Sequence, residues 1–174
     1  SDVALLLGTT AEEMRLFLAP TGITAALPAV MLPVLAARLG AGPTFVDTYS
    51  ANRPTAPPGD VLAAIGTDAA FRVPTIRLAD GHLASGGETY VYEFAWRTDY
   101  LSMGACHALE LPFVFDTLAS DGAKRMTGSV PAQDVADAMH SAWVSFAHGK
   151  DPGWVRYDTD SRPVMTFDQP ESRV

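Results

Sequence analysis

Thr89-Tyr90-Val91-Tyr92-Glu93-Phe94-Ala95-Trp96, followed downstream by Gly104-Ala105-Cys106-His107-Ala108-Leu109-Glu110-Leu111-Pro112-Phe113-Val114-Phe115, is the stretch that decides the fold class. Its first half is dense in aromatic and β-branched side chains between glycines, the composition of a strand. Its second half sets a histidine between small residues just before an apolar segment. Far upstream, Asp2-Val3-Ala4-Leu5-Leu6-Leu7-Gly8 is an apolar run that reads as a strand buried on both faces. The residues between the two strands carry helical spacing. Strand, helices, strand requires a parallel sheet with helical cover, so the fold class is α/β. Open sheets of this kind place reactive loops beyond the carboxyl ends of their strands, which is where His107 falls.

Outward from that frame, Thr9 or Thr10 is expected to cap a helix through Glu12, Glu13, Met14, Leu16 and Phe17, closed by Pro20. One or two short helices follow over 23–39. Residues 41–60, with Pro43, Pro54, Pro57, Pro58 and Gly59, read as connection. Asp60 then caps a helix from Val61 to Phe71, with Pro74 near a junction, and Gly86-Gly87 turn the chain into the second strand. Beyond the histidine, Pro131 opens the strongest helix, where Val135, Met139, Ala142, Trp143 and Phe146 build one apolar stripe and Gly149 ends it. The final segment, around Trp154, Tyr157 and Pro163-Val164-Met165-Thr166-Phe167, reads as a tail laid back on the body with a short edge strand.

The chain has 174 residues, 48% of them hydrophobic and 18% charged, which describes one globular domain. A net charge of -8 without a Lys/Arg cluster excludes nucleic acid and anionic lipid as natural partners. The longest apolar run, 23–37, is broken by Pro28 and Pro33 and is too short to span a bilayer. Cys106 is the one cysteine, so an internal disulfide and cysteine metal sites are ruled out and a reducing, cytoplasmic setting is expected, with secretion left open. No basic leader precedes the first strand. Because the sequence opens directly on that buried strand, it is expected to lack the natural beginning of its domain.

Candidate chemistry is sparse. His82, His140 and His148 fall at helix ends or off the apolar stripe, where structural roles lead. From spacing alone His107 too is more readily structural than catalytic; it needs a partner. The carboxylates considered are Glu12, Glu13, Asp68, Asp99 and Glu110. Glu13 lies just past the first strand as His107 lies past the second, so both can project onto one face of a parallel sheet, as a base and its orienting acid require. Solvated first-turn acids are the competing reading of Glu12 and Glu13, and without more information the favoured one. No serine sits in Gly-x-Ser-x-Gly. Cys106, adjacent to His107, points to the opposite side of an extended chain and reads as a buried thiol. No phosphate-cradling loop, metal-ligand spacing or cofactor motif is present.

Leu5-Leu6-Leu7-Gly8-Thr9-Thr10-Ala11-Glu12-Glu13-Met14-Arg15-Leu16-Phe17 resembles the acid segment of the type-B carboxylesterase and cholinesterase family. Asp68-x-x-Phe71-x-x-Pro74, Tyr90-x-Tyr92-x-Phe94, Gly104-x-x-His107-x-x-Glu110-Leu111-x-Phe113-Val114-Phe115 and Trp143-x-x-Phe146-Ala147-x-Gly149-x-Asp151-Pro152 match further family segments in the family's order. With the strand and histidine segments taken as one, these are four matches, each weak alone and specific in register. The resemblance implies an α/β-hydrolase fold and a serine esterase mechanism, with Glu13 as triad acid and His107 as triad base. It also implies a supporting carboxylate at Glu110 and a helix-cap or packing role for Asp68. Met14 departs from the family's glycine.

The family's nucleophile elbow and oxyanion loop have no counterpart here, so residues 1–174 are expected to be the C-terminal part of a single catalytic domain. Pro170-Glu171-Ser172-Arg173-Val174 resembles the family's last stretch cut slightly short. The bacterial para-nitrobenzyl-esterase type is favoured, since Cys106 has no partner for the disulfide of secreted relatives. The expected substrate is a small carboxylic ester, the expected partner the missing N-terminal part of the same enzyme, and no cofactor is expected. Alone, the chain is expected to be nearly inactive and to form a homo-oligomer through its open strand edges. The alternative is a non-catalytic, cholinesterase-like adhesion module.

Overall fold

The sheet has three strands among the described residues, and the sequence marks each of them. In the computed structural model, which describes residues 2–128 and 132–169, β1 (Leu5–Thr10) runs parallel to β2 (Thr89–Phe94), with Leu5 opposite Thr89 and Thr10 opposite Phe94. A third parallel strand, β3 (Met165–Phe167), lies on the other side of β2 with Met165 opposite Tyr92. The tail therefore supplies an edge strand, as its sequence suggests, and the order is β1-β2-β3.

Between β1 and β2 the chain is helical: α1 (Arg15–Leu18), α2 (Ile23–Ala26), α3 (Leu32–Arg38), α4 (Pro43–Ala51), α5 (Pro58–Thr67) and α6 (Val73–Ala84), with one π-helical turn over Asp68–Arg72 joining α5 to α6. After β2 come α7 (Leu111–Val114), α8 (Asp121–Thr127) and α9 (Gln133–Ala147). Pro131, read as the start of the last helix, lies outside the described residues, as do 170–174.

Several local expectations are corrected. Thr9 and Thr10 are the last residues of β1, not helix caps; the turn at 11–14 precedes a helix of one turn only. Among the described residues β1 pairs on one side only, and its first four residues are half-buried, not buried on both faces. Residues 41–60 are not mere connection, because Pro43 opens α4 and Pro58 opens α5; a proline at the start of a helix gives up an N–H that has no partner there anyway. Helix α5 thus starts before Asp60, whose carboxylate instead takes an ion pair from Arg15 at 2.5 Å. Pro74 does mark a junction: with no N–H to offer, it sits in the first turn of α6 just after the π turn.

Three apolar clusters hold these elements among the described residues, the smallest of them Ala79 of α6 with Val91 and Tyr157. One packs α9 and α7 on the sheet through Phe94, Phe113, Phe167, Leu109, Val135 and Met139, all buried. Another gathers Leu32, Ala36, Val46, Val61, Leu62 and Ile65 beneath α3, α4 and α5. Helices α2 and α5 touch at Gly59, where a Cβ would meet the Ile23 carbonyl oxygen at 2.1 Å, so only glycine allows that approach.

Candidate active site

The turn after β1 and the loop after β2 leave the same end of the sheet side by side. At their meeting point His107 Nδ1 lies 2.7 Å from Glu13 Oε2, and the Thr10 backbone N–H donates to Glu13 Oε1, also at 2.7 Å. The His107 N–H donates to the Glu13 carbonyl at 3.3 Å. The two residues that the sequence pairs are therefore brought into direct contact across 94 positions of chain. Glu13 is 4% exposed, whereas the His107 side chain is 42% exposed. An ionised carboxylate only accepts hydrogen bonds, so the Nδ1–H tautomer satisfies it and leaves the Nε2 lone pair as the free nitrogen of a partly open ring. Such a group can accept a proton at Nε2 while a fixed negative charge stabilises the resulting imidazolium.

The imidazole is held by more than the acid. Phe71 and Phe17 lie with ring centroids 5.1 and 5.7 Å from it. Ala108, the next residue, has φ +64, a left-handed conformation that costs a non-glycine residue about 1 kcal/mol and is paid for by burial of the loop on either side. Cys106 and Leu109, flanking the histidine, are both fully buried.

Asp68 stands at the C-terminal cap of α5, where its side chain binds the Tyr49 hydroxyl and the Arg72 guanidinium, and Arg72 continues to Glu93 on β2 at 2.6 Å and to the Ala11 carbonyl at 3.3 Å. This chain of contacts ties the π turn, and with it Phe71, to the strand end and to the acid turn. Burial, with Asp68 beside it, pushes the Tyr49 phenol up to about 12. Glu110 does not touch His107 by hydrogen bond; its Oε2 is buried without a partner among the described residues. Burial raises its pKa, and the negative charge of Glu13 adds to the rise. Tyr92 is raised by the same causes, burial first and then Glu110 and Glu13. Sequence reasoning missed the part played by Arg72, which has no spacing signal to distinguish it from an ordinary helix residue, and marked Phe71 only as a member of Asp68-x-x-Phe71-x-x-Pro74, not as a neighbour of the imidazole.

Two of the remaining histidines make structural contacts: His82 Nδ1 meets the Thr89 hydroxyl at 2.8 Å and His140 Nδ1 the Val114 carbonyl at 2.9 Å. Among the described residues no group of three His, Cys, Asp or Glu side chains is arranged to hold a metal ion, and no helix is long and apolar enough to cross a membrane. Burial pushes the Cys106 thiol from 9.0 up to about 11. A raised acid favours its neutral form when folded, so this group's contribution to stability is full below pH 9 and lost as pH rises towards 11. Iodoacetamide at pH 8 should accordingly leave the native thiol unmodified over hours and alkylate it within minutes in urea; comparable rates in the two conditions would contradict a buried thiol.

A parallel sheet with helical cover, bearing a carboxylate-oriented histidine on adjacent loops at one end, is the framework of α/β-hydrolases. The model of the carboxylesterase family matches residues 38–174. The para-nitrobenzyl esterase of Bacillus subtilis (strain 168) is 29% identical over 97% of this chain. A crystal structure of a Geobacillus stearothermophilus carboxylesterase superposes with a TM-score of 0.79 at 31% identity over 94% of the chain, and a structure of PNB esterase with 0.70 at 26% over 95%. The chain belongs to the carboxylesterase family. It spans about a third of these relatives, 35% of the Bacillus protein and 36% of the Geobacillus chain.

Proposed function

We propose that this chain is the C-terminal part of a serine ester hydrolase and supplies its general base, His107, and the acid that orients it, Glu13. The observation that carries the proposal is the 2.7 Å contact between His107 Nδ1 and the buried Glu13 carboxylate, with the imidazole partly open to its surroundings. The serine and the oxyanion donors would come from the rest of the catalytic domain. His107 takes the serine proton as the hydroxyl attacks the ester carbonyl, then returns it to the leaving alcohol; water repeats the cycle on the acyl-enzyme. The substrate class is small carboxylic esters, in keeping with the relatives' names. A module that works by binding alone has no use for a buried carboxylate spent on orienting an imidazole, which sets the adhesion reading second.

A fluorophosphonate probe tests this on the complete gene product. One labelled serine and p-nitrophenyl acetate turnover are expected, both lost in His107→Ala; no labelling and no turnover in the wild type would overturn the enzyme reading.

Alone, the chain leaves the outer edges of β1 and β3 without strand partners among the described residues, and Phe45, Val30 and Val34 exposed. Such edges and apolar side chains pair with further copies. Sedimentation at micromolar concentration should therefore give a mass above the 18.5 kDa of one chain, and no esterase activity; a purely monomeric boundary would overturn the self-association.

A further inference from the structure

The acid turn and the histidine loop are joined by more than the Glu13–His107 contact. The Glu12 N–H donates to the Ala105 carbonyl at 2.9 Å, and the Ala105 N–H donates back to Glu12 Oε2, also at 2.9 Å. Arg97 meets the same Oε2 at 2.6 Å from the exposed side, and Arg15 lies 3.8 Å from Oε1 while donating to the Ser102 carbonyl at 2.6 and 3.0 Å. Gly104 completes the arrangement. It has φ +60, and a Cβ there would stand 2.2 Å from Glu12 Oε2, so the loop backbone is shaped to admit this carboxylate. Packing does not force the side chain there, since Glu12 also borders a cavity of about 340 Å³ shared with Arg15, Arg53, Asp60 and Arg97, into which it could swing. Hydrogen bonds hold it.

We infer that Glu12 is a positioning residue: by accepting the Ala105 N–H it locks the histidine loop to the acid turn and so fixes the distance between His107 and Glu13. The inference rests on the proposed base and acid roles. Glu12 touches neither substrate nor imidazole; its effect passes through the two residues that follow Ala105 and the one that follows itself. Because a displacement of about 1 Å at a reacting group can cost about 10²-fold in rate, loosening this clamp should lower kcat and spare substrate binding.

The test uses the complete gene product with p-nitrophenyl acetate, counting active centres by fluorophosphonate titration so that misfolded protein drops out. Glu12→Ala is expected to lower kcat per titrated centre by about 10²-fold with KM within about two-fold. Glu12→Gln keeps an oxygen acceptor for Ala105 and should stay within about three-fold of the wild type. Wild-type kcat in Glu12→Ala, or a Glu12→Gln variant as slow as Glu12→Ala, would overturn the inference. If Glu12→Ala gives no titratable centres, Arg97→Ala at the exposed partner decides: a kcat lower by about three-fold supports the clamp and an unchanged kcat overturns it. His107→Ala run alongside separates the two readings. If it turns over like the wild type, the base assignment itself falls; if it is dead while Glu12→Ala is normal, only the clamp does.

Discussion

Glu13→Gln in the complete gene product should lower kcat by about 10⁴-fold while leaving the fold intact. The amide is nearly the size of the carboxylate, and its oxygen can still accept the Thr10 N–H that Glu13 Oε1 accepts now. Its NH₂ group then faces His107 Nδ1 in place of Oε2. A neutral imidazole answers by accepting at Nδ1 and carrying its proton on Nε2, the nitrogen that must be free to receive one. The amide also withdraws the negative charge that would balance the imidazolium. Turning the amide over does not help, since the Thr10 N–H would then meet another donor. Glu13→Asp keeps charge and tautomer but is shorter by one methylene, so a smaller loss of about 10²-fold is expected from misplacement alone. Turnover, phosphonate labelling rate and thermal midpoint measured together check both variants. A Glu13→Gln enzyme within ten-fold of the wild type, at an unchanged midpoint, would remove Glu13 from the role proposed for it.

The two strands and the residues at their carboxyl ends are legible in the sequence for a physical reason. A parallel sheet covered by helices needs continuous apolar runs such as Leu5-Leu6-Leu7, and these stand out against any composition. Topology allows Glu13 and His107 to project from the same end of the sheet, but on spacing alone solvated first-turn acids remain the favoured reading, and the pairing comes from the resemblance to the carboxylesterase family. The helix Pro43–Ala51 is not, because its opening proline looks like a breaker until the neighbours that accept it are known. Thr9 and Thr10 mislead in the opposite direction: hydroxyl residues before two glutamates read as a cap, but register with Glu93 and Phe94 extends the strand through them. The support of the site is least visible of all. Arg72 reaches Glu93 and the Ala11 carbonyl, 21 and 61 positions away, and Glu12 reaches Ala105, 93 positions away. Contacts of that range leave no periodicity to read.

The loop that carries His107 is kept in place from beneath, and Phe113→Ala should show it by destabilising the protein by about 3–5 kcal/mol. Phe113 is fully buried in α7, with the rings of Phe94 and Trp96 at 4.9 and 5.1 Å, and it follows Cys106 and Leu109 as the third buried anchor of one continuous segment. Truncation removes a whole ring from a site closed by the sheet on one side and by α9 on the other, so little collapse can refill the space. Against a typical total of about 5–15 kcal/mol, that loss takes a large share of the stability. Phe115, two residues on, is 66% exposed, and Phe115→Ala should change stability by no more than about 0.5 kcal/mol. Urea titration followed by the fluorescence of Trp96, Trp143 and Trp154 compares them, with the midpoint expected to shift at constant slope. A Phe113→Ala loss below about 1 kcal/mol would mean that α7 is not what holds the histidine loop against the sheet.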